Sequence, residues 1–126
     1  MDRQLYKDGG RTVEGFLRGG FASPIYSFVT NYFDAGFDFT GFVPGRAGDV
    51  VAVGVQRTGV GQRFSEAQEK LGMPAFTQET AIELTYKAAM TPWWTLQPDI
   101  QYLVNPGGAI HTNNALVLGL RSTLAF

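Results

Sequence analysis

The sequence predicts an all-β chain, an antiparallel meander of about six strands with one apolar and one polar face. Three observations carry that prediction. Apolar and polar residues alternate with a period of two along stretches of strand length, as in "ALVLGLRSTLAF", where Leu116, Leu118, Leu120, Leu124 and Phe126 share one parity while Arg121 and Thr123 share the other. The 126 residues include 16 glycines, 10 phenylalanines, 5 tyrosines and 2 tryptophans, the composition of twisted strands punctuated by turns. Short and long polar connections alternate along the chain. A leucine face opposite an arginine face requires two different solvents.

The elements follow in order. The stretch "DRQLYKDGG" precedes the strands that the alternation marks. The first full strand is expected at 12–22, with Val13, Leu17 and Phe21 opposed to Glu14, Phe16 and Arg18. The second, at 26–43, sets Phe33, Ala35, Phe37 and Phe39 against Tyr32, Asp34, Asp38 and Thr40, and the tight turn "PGRAGD" leads to a third at 49–62 with Val51, Val53 and Val55 on one face. In the long connection that follows, "SEAQEKLGMP" predicts a helix of about two turns, from a capping box at Ser65 and Gln68, a Glu66–Lys70 pair and the stop signals Gly72 and Pro74. The strand at 77–91 places Ile82, Leu84 and Tyr86 against Glu83, Thr85 and Lys87. After the turn "TPWWT", the strand at 95–105 places Leu96, Ile100 and Tyr102 against Gln97, Asp99 and Gln101. Pro98 cannot donate to a ladder, so it is expected at the strand's first position or at a bulge. The last strand spans 113–126.

Composition narrows the function classes. A net charge of −1 supplies no basic field, so nucleic acid is not an expected partner. No apolar run approaches the roughly 20 residues a membrane helix needs. The chain has no G-x-S-x-G, H-E-x-x-H or phosphate-loop sequence, and the glycines at 59 and 61 stand alone. His111 is the single histidine. Ser122 lies on the same strand region about 36 Å away when extended, too far for a nucleophile and its base, so His111 is expected to be a solvated loop residue and no metal, cofactor or enzyme activity is expected. Alternating strands with one polar face also describe a soluble β-sandwich or lipocalin-like binding domain. Phe126, the last residue, fits a membrane interface better than a core.

The stretch "ELTYKAAMTPWWTLQPDIQYLVNPGG" followed by "ALVLGLRSTLAF" resembles the C-terminal region of the OprB-type carbohydrate-selective porins, and "GFVPGRAGDVVAVGV" resembles the hairpin before it. The resemblance covers nearly the whole chain and implies an outer-membrane barrel of about sixteen strands. Six strands cannot close such a barrel, so the resemblance implies an open C-terminal segment of a single barrel domain, residues 1–126, with no second domain, with Met1 an arbitrary start inside a longer sequence that would hold the signal peptide and "DRQLYKDGG" the tail of a preceding strand and its turn. It further implies passive diffusion of sugars such as glucose, contact with outer-membrane lipid, and recognition of the last strand and Phe126 by the barrel assembly machinery. Trp93 and Trp94 would lie at an interface beside a short turn. Parity then directs Glu14, Arg18, Asp34, Asp38, Glu83, Lys87, Gln97, Asp99, Gln101 and Arg121 to the lumen. Their mixture of both charges with amides suits hydroxyl-rich neutral solutes, with an ion- or phosphate-selective porin as the alternative.

Overall fold

In the computed structural model, which describes residues 1–23, 27–73, 77–108 and 112–126 without the side chains of Gln62 and Phe64, each strand pairs antiparallel with the next in sequence. The strands are β1 (Asp2–Asp8), β2 (Arg11–Phe21), β3 (Val29–Thr40), β4 (Val50–Val60), β5 (Gln78–Thr91), β6 (Trp94–Val104) and β7 (Ala115–Leu124). They form one seven-stranded sheet in the order β1 to β7, open at both edges. The expected meander is therefore present with one more strand than the alternation indicated. "DRQLYKD" is a complete strand paired with β2, its parity disguised by a register shift between Gln4 and Tyr6. The turn to β2 is made by Gly9 and Gly10, both at positive φ, which matches the right-handed twist of a two-residue hairpin.

Connections segregate by end. Residues 9–10, 41–49 and 92–93 join strands at one end, whereas 22–28, 61–77 and 105–114 join them at the other. The longest connection carries helix α1 (Gln62–Lys70), which begins three residues before the expected capping box. Its N-cap is Gly61 in extended conformation with no side-chain cap, and the Ser65 amide already bonds back to Gly61 O at 3.1 Å. The expected stop at Gly72 is present: its φ is 73°, its amide donates to Glu69 O, and the Met73 amide donates to Gln68 O, a Schellman closure. Pro74 and His111 lie outside the described residues.

Pro98 stands inside β6, neither at its start nor at a bulge. The β5–β6 ladder passes from Thr85↔Asp99 to Ala88↔Leu96 without a register shift between them, while β6 stays paired with β7 through Pro98↔Leu120. The missing N–H is absorbed as a gap in one ladder.

The sheet has no ordinary core. Ala88 is the single buried apolar side chain among the described residues, and Leu17, Phe37, Leu84, Ile100, Leu118 and Leu120 are between 46% and 71% exposed. One inner register row, Gly15–Phe37–Val53–Leu84–Ile100–Leu118, runs apolar across six strands. Among the described residues no second sheet or helix covers this face, which separates the fold from a sandwich.

The most enclosed polar group is Asp49, 2% exposed, at the end of the 41–49 turn. Its carboxylate accepts from Arg46 Nε, from Arg46 Nη2 at 3.1 Å, from Tyr86 Oη and from the Ala89 amide at 3.0 Å. The turn is thereby fastened to β5 beyond its own hairpin. The Arg46 guanidinium holds the Asp49 carboxyl below the usual carboxylate range.

Candidate functional site

The polar face is built by parity from the same strands. Register fixes its rows: Gln4–Glu14–Asp38–Ala52–Thr85–Asp99–Gly119, then Asp2–Phe16–Gly36–Gly54–Glu83–Gln101–Val117, then Arg18–Asp34–Gln56–Ala81–Leu103–Ala115. Glu14, Arg18, Asp34, Asp38, Glu83, Lys87, Gln97, Asp99, Gln101 and Arg121 therefore share one side of the sheet. Gln97 faces Arg121, and Lys87 stands in the ladder gap opposite Gln97.

Several of these side chains are tied to one another. Arg18 Nη1 lies 3.7 Å from Asp34 Oδ2 and its Nη2 lies 3.4 Å from Asp2 Oδ1. Glu83 accepts from Thr85 Oγ1 at 2.7 Å and from Gln101 Nε2 at 3.0 Å, so both carboxylate oxygens are oriented before any ligand arrives. Asp99 folds across Gly119, where a Cβ would meet its Oδ1 at 2.3 Å. Opposite charges offset each other locally instead of forming a ring of one sign.

The structure adds groups that charge and parity did not single out. Phe16 is an aromatic on the polar side, lying over Gly36, with the Arg18 guanidinium carbon 5.0 Å from its ring centroid. Beside it, between Phe16 and Glu83, is a depression of about 270 Å³ floored by Ala52 and Gly54 and edged by Asp34, Gln56 and Gln97. Parity put Phe16 on this face. What the sequence did not display was that the residues across from it, Gly36 and then Gly54, leave room for the ring over them.

Aromatic side chains collect toward the strand ends. Phe39 packs edge-on against Phe42 with centroids 5.9 Å apart, and Arg11 lies 5.7 Å from the Phe42 ring centroid, all at the short-turn end. Trp93 occupies the β5–β6 turn and is 56% exposed, while Trp94 opens β6 and donates from Nε1 to Ser122 Oγ at 3.0 Å. β7 ends at Leu124, two residues before the expected limit, yet the Ala125 amide still donates to Trp93 O at 2.8 Å and leaves Phe126 fully exposed at the same end. Phe21, Phe33 and Tyr102 stand toward the long-loop end, with Phe37 and mostly aliphatic residues such as Val53, Leu84, Ile100 and Leu118 between the two groups.

Comparison with known proteins agrees with this geometry. The family model of the carbohydrate-selective porins, OprB family, matches residues 1–126. Porin B of Pseudomonas aeruginosa is 29% identical over 111 residues, 78% of this chain and 24% of that protein. The high-pH structure of Pseudomonas putida OprB superposes with a TM-score of 0.92 at 26% identity, covering 99% of this chain and 34% of that one. The chain thus spans about a quarter to a third of the relatives it matches.

Proposed function

The chain belongs to the OprB family of carbohydrate-selective porins, and on that premise we propose that it forms part of the wall of a closed outer-membrane barrel through which neutral sugars such as glucose diffuse passively. The observation that carries the reading is the two-faced sheet. One side presents uncovered Leu, Ile, Val and Phe bounded by aromatics at both strand ends, and the other presents paired charges and amides. Lipid and a water-filled lumen are the two solvents that satisfy both faces at once.

Chemistry at the polar face is restricted to hydrogen bonding. Passive diffusion needs no nucleophile, cofactor or metal, and it needs no stored energy. Mixed, locally neutralised charge offers donors and acceptors to hydroxyl groups without the net field that concentrates one ion. Arg18, Asp34, Glu83, Gln97, Asp99, Gln101 and Arg121 are the groups we assign to that wetted wall, together with Glu14, Asp38 and Lys87.

The unpaired outer sides of β1 and β7 require further strands, because lipid cannot satisfy an open ladder. We assign this chain to one segment of a single barrel of about sixteen strands. Trp93, Trp94 and Phe126 lie at the interface on the short-turn side, and β7 with Phe126 is the edge offered to the barrel assembly machinery by strand addition.

Glucose efflux from liposomes tests the reading. The full-length porin carrying this segment should release glucose and discriminate weakly between K⁺ and Cl⁻ in planar bilayers, while residues 1–126 alone should release none. Strong preference for one ion, with no sugar flux, would replace the sugar pore by an ion or phosphate porin. Saturable efflux through the isolated chain would overturn its assignment as a segment.

A further inference from the structure

We infer that the depression beside Phe16 is a sugar-binding subsite in the wall, with the Cζ edge of the Phe16 ring as its apolar side and Glu83 as its oriented acceptor. The inference rests on the porin reading and adds to it a place where the solute pauses.

The register makes the subsite. Phe16, Gly36, Gly54 and Glu83 follow one another across β2, β3, β4 and β5 in a single row. A Cβ on Gly36 would stand 2.7 Å from two Phe16 ring carbons and 2.6 Å from Val53 O, so no larger residue fits beneath the ring. The ring is steadied by Arg18, whose guanidinium carbon lies 5.0 Å from the centroid and which is itself fixed by Asp34 at 3.7 Å. Next in the row, Gly54 has open space above it: a Cβ there would meet only Ala35 O at 3.6 Å and Phe16 Cζ at 4.0 Å. Two consecutive glycines in one row thus hollow the wall, and an aromatic side chain bounds the hollow on one side.

On the far side stands Glu83. Thr85 Oγ1 donates to one of its oxygens and Gln101 Nε2 to the other, which fixes the carboxylate while leaving lone pairs for further donors. Asp34, Gln56 and Gln97 edge the same hollow. A pyranose has faces carrying C–H groups and a rim of hydroxyls. Its C–H groups fit the apolar ring edge that bounds the hollow, and its rim requires donors and acceptors around it. The volume of about 270 Å³ falls at the small end of ligand pockets, suited to one sugar ring at a time. An anion would find Asp34 and Glu83 in the lining and is disfavoured.

The test uses the full-length porin carrying this segment and reads two quantities separately: the glucose concentration that half-saturates flux, and the KCl conductance of single channels. Phe16→Ala should raise the half-saturating concentration about three- to tenfold, the range of one aromatic contact, with KCl conductance undiminished. Gly54→Val supplies a β-branched residue that the backbone accommodates and that fills the hollow, and it should also raise half-saturation. Wild-type saturation with unchanged half-saturation in either Phe16→Ala or Gly54→Val would overturn the subsite and leave the sugar pore standing. If Phe16→Ala does not assemble, Gly54→Val alone decides. A wild-type porin without saturable glucose flux would overturn the subsite together with the reading beneath it.

Discussion

Replacing Asp49 by alanine should loosen the attachment of the 41–49 turn to β5, and the size of the effect can be worked from its contacts. The carboxylate accepts a backbone N–H from Ala89 at 3.0 Å in a site where Asp49 is 2% exposed. A hydrogen bond to a charged group in such a setting contributes about 1.5–3 kcal/mol. The bonds from Arg46 add less, because its exposed guanidinium recovers hydration when released. The expected local loss is therefore about 2 kcal/mol, which corresponds to about thirtyfold faster opening. Amide hydrogen exchange at Ala89 measures it directly, with residues in the middle of β5 as internal controls.

The pH dependence follows from the same contacts. Arg46 lowers the Asp49 pKa in the folded protein, so the unfolded chain binds more protons over the interval between the two values. The contribution is then complete above the ordinary aspartate pKa of about 3.9 and is lost as pH falls through the lower folded value. The exchange difference between wild type and Asp49→Ala should stay level from neutral pH to about pH 5 and shrink on further acidification. Ala89 exchange unchanged by the substitution, or a difference that grows as pH falls below 4, would refute the reasoning.

Three other outcomes are expected of the full-length porin carrying this segment. Leu118→Arg, on the exposed apolar row of β7, should cost about 2–4 kcal/mol if that row lies near the bilayer midplane, read as a lowered urea midpoint for loss of the compact, heat-modifiable band on gels; an unchanged midpoint argues against lipid contact. Combined Arg18→Ala, Asp99→Ala and Arg121→Ala should alter sugar permeation or charge selectivity, and retention of both would remove these residues from the lumen. Deleting Phe126 should reduce the amount of folded barrel recovered from outer membranes while leaving the conductance of assembled channels unchanged; normal recovery would remove its role in assembly.

Strand parity was legible because each face meets one solvent, so the constraint repeats at every second residue. β2, β3, β5, β6 and β7 show it over most of their lengths and β4 less clearly, and the faces inferred for Phe37, Leu84, Glu83 and Arg121 agree with the pairing. β1 was half hidden because the register shift after Gln4 breaks the period, and a seven-residue strand leaves too little alternation on either side of it. Pro98 misled through a rule about donors that holds for both ladders of a strand together. Here only the ladder toward β5 is interrupted, and pairing with β7 continues. The start of α1 was displaced because Ser65 and Gln68 satisfy a capping pattern that the backbone does not use, Gly61 entering the helix without a side-chain cap. The hollow beside Phe16 was illegible for a different reason. It depends on glycines from two strands meeting an aromatic from a third, and that coincidence is set by register.

Register also explains why the wall can be hollow there and remain intact. Gly36 and Gly54 remove side chains from the polar face only, and the adjoining apolar row supplies Phe37, Val53 and Leu84 on the opposite side of the same stretch. Backbone pairing continues unbroken through Gly36↔Gly54, so the ladder keeps its hydrogen bonds where the side chains are absent. A strand interior with two facing glycines ordinarily weakens a sheet, but in the barrel proposed above the bilayer would cover the outer apolar side chains whatever the inner surface carries. Width and chemistry on the polar side can therefore vary residue by residue without altering the lipid-facing row. Under the proposed pore, a two-faced sheet of this kind separates the residues that would hold the barrel in its membrane from those that would meet its solute, and the row through Phe16, Gly36 and Gly54 varies the polar side while the apolar row stays filled.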